Sequence, residues 1–107
     1  MSSFDKREEG FEKKFALDEE QKFKAEVRRN KLLGLWAAEK LGLSGDAATA
    51  YSKEVVAADF EEAGDQDVQN KVVKDFAAKG VAIAAQEVRA KMDELMAQAV
   101  AQVKAGT

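Results

Sequence analysis

Phenylalanine recurs at Phe4, Phe11 and Phe15, and the gaps between the rings hold charged residues and one glycine. At ~100° per residue, positions i, i+7 and i+11 fall within a band of about 40° on one helix face, and Asp5, Lys6, Glu9, Glu12 and Lys13 lie around the rest. The pattern predicts a strongly amphipathic first helix, capped by Ser2 or Ser3. It does not continue unbroken, because Phe23 and Val27 would then sit roughly 100–140° from the first stripe. Asp18 and Gln21 have the spacing of a capping box, which places a break near Leu17 and Asp18 and a new start behind it.

The second predicted helix runs from about Glu19 to Leu41 and stops at "GLSG", where Gly42 and Gly45 supply permissive backbone and Ser44 or Asp46 caps the next element. The third covers roughly Asp46 to Ala63. After Gly64, with Asp65 as its cap, Val68, Val72, Phe76, Ile83, Met92, Leu95, Ala99 and Val103 keep helical spacing to the C-terminus. A single fourth helix, bent at most at Gly80, would extend about 60 Å. Short connections make neighbours antiparallel, so the expected architecture is an all-α, up-and-down four-helix bundle with a long C-terminal helix and a mobile N-terminal one. Its expected core is Phe23, Val27, Leu41, Tyr51, Val55, Phe60, Val72, Phe76, Ile83, Met92 and Leu95. In "NKLLGLWAAEKLG" the residues Leu32, Leu33, Leu35 and Trp36 lie off the Phe23, Val27, Gly34, Leu41 stripe. A helix apolar on all sides has to be surrounded, which puts this one at the centre, with Gly34 admitting a close neighbour.

Composition narrows the function. With 107 residues, 46% hydrophobic and 35% charged, the chain can bury one modest core, so residues 1–107 read as one domain, divided into an N-terminal helix over 1–17 and a bundle over 18–107. Proline, cysteine and histidine are absent, which removes disulfides, thiolate ligands and any imidazole for zinc or acid/base work. A net charge of −3 with both signs interleaved gives no long-range attraction to nucleic acid. No apolar run reaches the ~20 residues of a membrane span and "MSSFDKREE" is too polar for a signal peptide, so a soluble, cytoplasmic protein is expected. "DQDVQNKVVKDF" opens like a calcium loop at Asp65, Asp67 and Gln69, but Asn70 stands where glycine is needed and Phe76 where glutamate is, so no metal is expected. No carboxylate pair or phosphate-binding glycine loop stands out, and the chain does not read as an enzyme.

The stretch "FEKKFALDEEQKFKAEVRRNKLLGLWAAEKLG", Phe11 to Gly42, resembles the alphaproteobacterial zeta subunit, an inhibitor of the F-type rotary ATP synthase. "SSFDKREEGFEKKF", "RRNKLLGLWAAEKLG", "VVKDF" and "MDEL" stand in the order of that family, so the resemblance covers most of the chain. It implies a bundle that binds the enzyme's catalytic head, peripheral to the membrane, and suppresses ATP hydrolysis through the N-terminal segment. Phe4, Phe11 and Phe15 would enter a cleft, and Asp5, Arg7, Glu8 and Lys14, with Lys6, Glu12 and Lys13, would meet its polar rim; in the free protein the stripe could equally pack on the bundle as its first helix, and both hold if the segment docks weakly and detaches.

The resemblance also implies an adenine nucleotide, ADP or ATP, as a regulatory ligand, with no cofactor required. Arg29, Leu33, Trp36 and Lys40 fall at i, i+4, i+7 and i+11, so Trp36 could stack a base while Arg29, with Arg28, meets phosphate. Arginine and lysine also lie along buried aromatics where no ligand is present, and the sequence favours that reading of the four. Two other readings stay open: a helical protein-interaction module without any ATPase link, and a membrane-surface amphipathic helix. The second fits less well, because acidic residues share the polar face of the first stripe.

Overall fold

Asp18 starts the first helix as the spacing predicts. Its carboxylate Oδ1 accepts from the Gln21 amide at 2.7 Å, and the Asp18 amide donates to Gln21 Oε1 at 3.3 Å. The computed structural model describes residues 18–59 and 65–106, so the predicted helix over 1–17 and Phe60 lie outside the described residues. Within them are four helices and no strand: α1 (Glu19–Lys40), α2 (Gly45–Ala58), α3 (Gln66–Lys79) and α4 (Ala85–Lys104).

The long last helix begins later than its periodicity suggests. Gly80 takes φ +72°, and the Val81 amide turns back to the Phe76 carbonyl at 2.9 Å, which closes α3. Residues 81–84 belong to no helix, with the Ile83 amide turned onto the Val81 carbonyl at 3.0 Å, and Glu87 Oε1 accepts from the Ala84 amide at 3.4 Å to open α4, which is 20 residues long. The single helix expected from Asp65 to the C-terminus is therefore two. Two expected caps also differ: Ser44 and Asp65 occupy N-cap positions, yet neither side chain makes a capping hydrogen bond.

Packing places α1 between α2 and α4, while α3 closes the bundle against α2 and α4 and touches α1 only lightly. A main core joins Leu33 and Ala37 of α1, Tyr51 and Val55 of α2, Val68, Val72 and Phe76 of α3, and Val88, Met92 and Leu95 of α4. A smaller cluster draws on α1 and α4 alone: Ala25 with Ala99 and Val100, flanked by Met96 and Val103. The lengths explain the division. At 1.5 Å per residue, α2 and α3, each 14 residues, extend about 21 Å, whereas α1 with 22 extends about 33 Å. The N-terminal half of α1 and the C-terminal half of α4 thus form a two-helix arm beyond the four-helix core.

Several expected core residues lie elsewhere. Phe23 is 54% exposed on the arm, while Val27, Leu41 and Ile83 are half-buried. Leu33 is sealed, but Leu35 is 39% exposed, so the apolar stretch of α1 is covered on all but one side. Gly34 does admit a neighbour: a Cβ there would lie 2.6 Å from Ser52 Cα, and Ser52 Oγ donates to the Lys31 carbonyl at 2.9 Å.

Candidate functional site

The helical repeat that aligns Arg29, Leu33 and Trp36 on α1 points them into the protein. Leu33 has no exposure, and Arg29 keeps only 4%. A buried guanidinium needs a counter-charge, and two partners supply hydrogen bonds: Arg29 Nε donates to Asn30 Oδ1 at 2.8 Å and Nη1 to Asp65 Oδ2 at 3.2 Å. Arg89 of α4 grips the same carboxylate with two parallel bonds, Nη1 to Oδ2 at 3.0 Å and Nη2 to Oδ1 at 2.9 Å, and also donates to Gln69 Oε1 at 2.9 Å. Hydrogen bonding from Arg89, aided by the charges of both arginines, holds the Asp65 carboxyl below the usual carboxylate range although burial opposes it. One carboxylate thereby ties the start of α3 to α1 and α4. The Nδ2 of Asn30, whose Oδ1 accepts from Arg29, is buried without a hydrogen-bond partner.

Trp36 is half-buried, with its ring edge-on to Phe76 at 5.7 Å between centroids and Lys91 Nζ 5.7 Å from its own centroid. Arg28, one residue round the helix from Arg29, leaves the core and donates to Gln102 of α4 at 3.3 Å. Lys40 is exposed on the last turn. The structure therefore brings Arg29, Leu33 and Trp36 together inside the bundle, with Arg28 and Lys40 outside it. Arg29 and Leu33 are thus held in the packed interior, whereas Lys40 projects from the last turn of α1.

A second polar group links α2 to α3. Tyr51 Oη donates to Asp75 Oδ2 at 2.7 Å, Lys71 Nζ meets the same oxygen at 3.0 Å, and Lys71 lies 5.2 Å from the Tyr51 ring centroid. Burial, reinforced by the bond to Asp75, pushes the Tyr51 hydroxyl well above its ordinary range. Burial works to lower the Lys71 ammonium, but Asp75 and Glu54 overcome it and the net shift is upward. Among the described residues no group of carboxylates is placed to hold a metal ion, and no helix is long and apolar enough to cross a membrane.

The arm carries a groove of about 550 Å³, lined by Phe23, Lys24, Val27, Arg28 and Lys31 of α1 together with Val103 and Gly106 at the end of α4. Phe23 and Val27, expected in the core, line this groove instead, on the stripe that α2 covers further along at Gly34. The Arg29–Asp65–Arg89 clamp was not predicted, and its one signal is an arginine four residues before Leu33 on a buried face. The expected partner-binding residues Phe4, Asp5, Arg7, Glu8, Phe11, Lys14 and Phe15 lie outside the described residues.

A sequence model of the ATPase inhibitor subunit zeta family matches residues 1–102. The chain belongs to that family. No curated protein matches it. A solution NMR structure of a protein 58% identical in sequence superimposes with a TM-score of 0.70, over 79% of this chain and 96% of that one. The zeta-family match spans the N-terminal stripe and nearly all of the bundle, as the resemblance in the sequence implied.

Proposed function

We propose that this chain inhibits ATP hydrolysis by an F-type ATP synthase, with its N-terminal amphipathic segment as the element that enters the catalytic head. The family match over residues 1–102 carries the reading, because it includes the stripe of Phe4, Phe11 and Phe15. Recognition is of the helix-in-groove kind: the rings fill a cleft between head subunits, and Asp5, Arg7, Glu8 and Lys14 meet its rim. A wedge there stops the closure and rotation that hydrolysis requires. Three buried phenylalanines supply on the order of 5–9 kcal/mol gross, before association and ordering costs. Useful affinity therefore needs contacts from the bundle as well, and the clamp centred on Asp65 gives that surface a fixed shape.

The test is ATP hydrolysis by the cognate catalytic head titrated with the full chain. A saturable loss of activity at near-stoichiometric ratios is expected. Undiminished hydrolysis at large excess would leave a helical interaction module without an ATPase link.

A further inference from the structure

The groove on the two-helix arm faces the question of what covers it. Phe23 is the most exposed large apolar residue of the described chain, and Val27 and Val103 border it. Lys24, Arg28 and Lys31 run along one edge, Arg28 braced by Gln102. The groove begins at Gln21, three residues after the cap Asp18, where residues 1–17 join α1. We propose that this groove is the resting dock of the chain's own N-terminal segment, which folds back on α1 as an antiparallel hairpin about Asp18.

Charge and register argue for that occupant. Glu12, Glu8 and Asp5 precede Asp18 by six, ten and thirteen residues, and Lys24, Arg28 and Lys31 follow it by the same intervals. A hairpin turning at Asp18 sets each acid level with a cation. Phe11 falls level with Ala25, between Phe23 and Val27. On a helical wheel the three acids lie about 40–100° to one side of the phenylalanine stripe. The three cations flank the Phe23–Val27 strip in the same rotational sense, and two antiparallel helices facing each other bring those flanks to one side. Length agrees as well: Phe4 to Phe15 rises about 16 Å as a helix, and Gln21 to Lys31 about 15 Å. Docking here covers the face of α1 that α2 covers only from Gly34 onward. The docked stripe is the same one assigned to the catalytic head, so the groove competes with the head; that consequence rests on the proposed function, whereas the docking does not.

The native chain has no cysteine, which makes a single Gly10→Cys substitution a clean site for a spin label in the full-length protein. Position 10 lies level with Glu26 in the hairpin. Loss of amide signal is expected at 23–28 and 103–106, with the amides around Gly80 unaffected. Lys24→Glu with Lys31→Glu, both exposed positions, should restore those signals, and adding Glu12→Lys with Asp5→Lys should abolish them again. Broadening elsewhere, broadening indifferent to the charge exchange, or broadening transferred from a labelled chain to an unlabelled one would overturn the proposal, the last by assigning the groove to a second copy. Inhibition is read separately: if docking is present, the Lys24→Glu, Lys31→Glu chain should inhibit more strongly than the parent. Confirmed broadening without any inhibition would leave the dock standing and remove the ATPase reading.

Discussion

Asp65 is the residue whose chemistry reaches furthest, because two helices depend on its charge. Its removal would leave Arg29, whose side chain is only 5% exposed, without a counter-charge. A fully buried pair loses ~3–5 kcal/mol when one partner goes, but the Asp65 side chain is 35% exposed and water screens part of the interaction, so Asp65→Asn should cost roughly 2–4 kcal/mol. The pH dependence follows from the direction of its shift. The folded-state value lies below the unfolded one, about 3.9, so the stabilisation is complete above that value and disappears as pH falls through the folded value. Urea unfolding should show the parent chain losing its advantage over Asp65→Asn as the medium is acidified through that window. Equal stability at neutral pH would show that Arg29 tolerates solitude and that the clamp is incidental. The sequence offered Arg29 a place along a buried aromatic or, less readily, a phosphate, because nothing in the local pattern names a carboxylate 36 positions away.

Among the elements, what was legible was what depends on local spacing. The Asp18–Gln21 box, the stop at Gly42 and the buried faces of α3 and α4 all follow from neighbours in sequence. The break at Gly80 was misread for a physical reason: Phe76 and Ile83 are seven residues apart, so the apolar period carries across a point where the backbone leaves the helix. Which helix covers which face is not local either: Phe23 shares a stripe with Val27, Gly34 and Leu41 and was expected in the core, but α2 ends at Ala58 and Phe23 is 54% exposed. Gly34 tests the packing of α1 on α2 directly. Alanine there gains up to ~1 kcal/mol of helix propensity, but its Cβ would sit 2.6 Å from the Ser52 backbone, and forcing two helices apart costs about 1–3 kcal/mol. Gly34→Ala should therefore lower the urea midpoint despite improving the isolated helix. A raised midpoint would mean the two helices separate at little cost and that the close approach has no structural role.

Fold and function make opposite demands on Phe11. If the ring belonged to the permanent core, Phe11→Ala would leave a cavity and cost ~3–5 kcal/mol, a large share of the 5–15 kcal/mol typical of a small domain. Among the described residues, Leu33, Val55, Val72, Phe76 and Met92 form a buried core of their own. A dock that must release its segment to a partner has to be weak, so the melt of Phe11→Ala should differ from the parent by well under ~1 kcal/mol. Potency is another matter. A ring at the centre of the inhibitory stripe should contribute about 2 kcal/mol to the complex, a loss of some thirtyfold on truncation. Charge reversal at Glu9, about 140° round the helix from the phenylalanine stripe, should alter neither observable much. Thermal unfolding and an ATPase titration of the same preparation separate the two demands. A melt lowered by many degrees, with potency per folded molecule unchanged, would place the stripe in the core and the inhibitory surface elsewhere on the bundle.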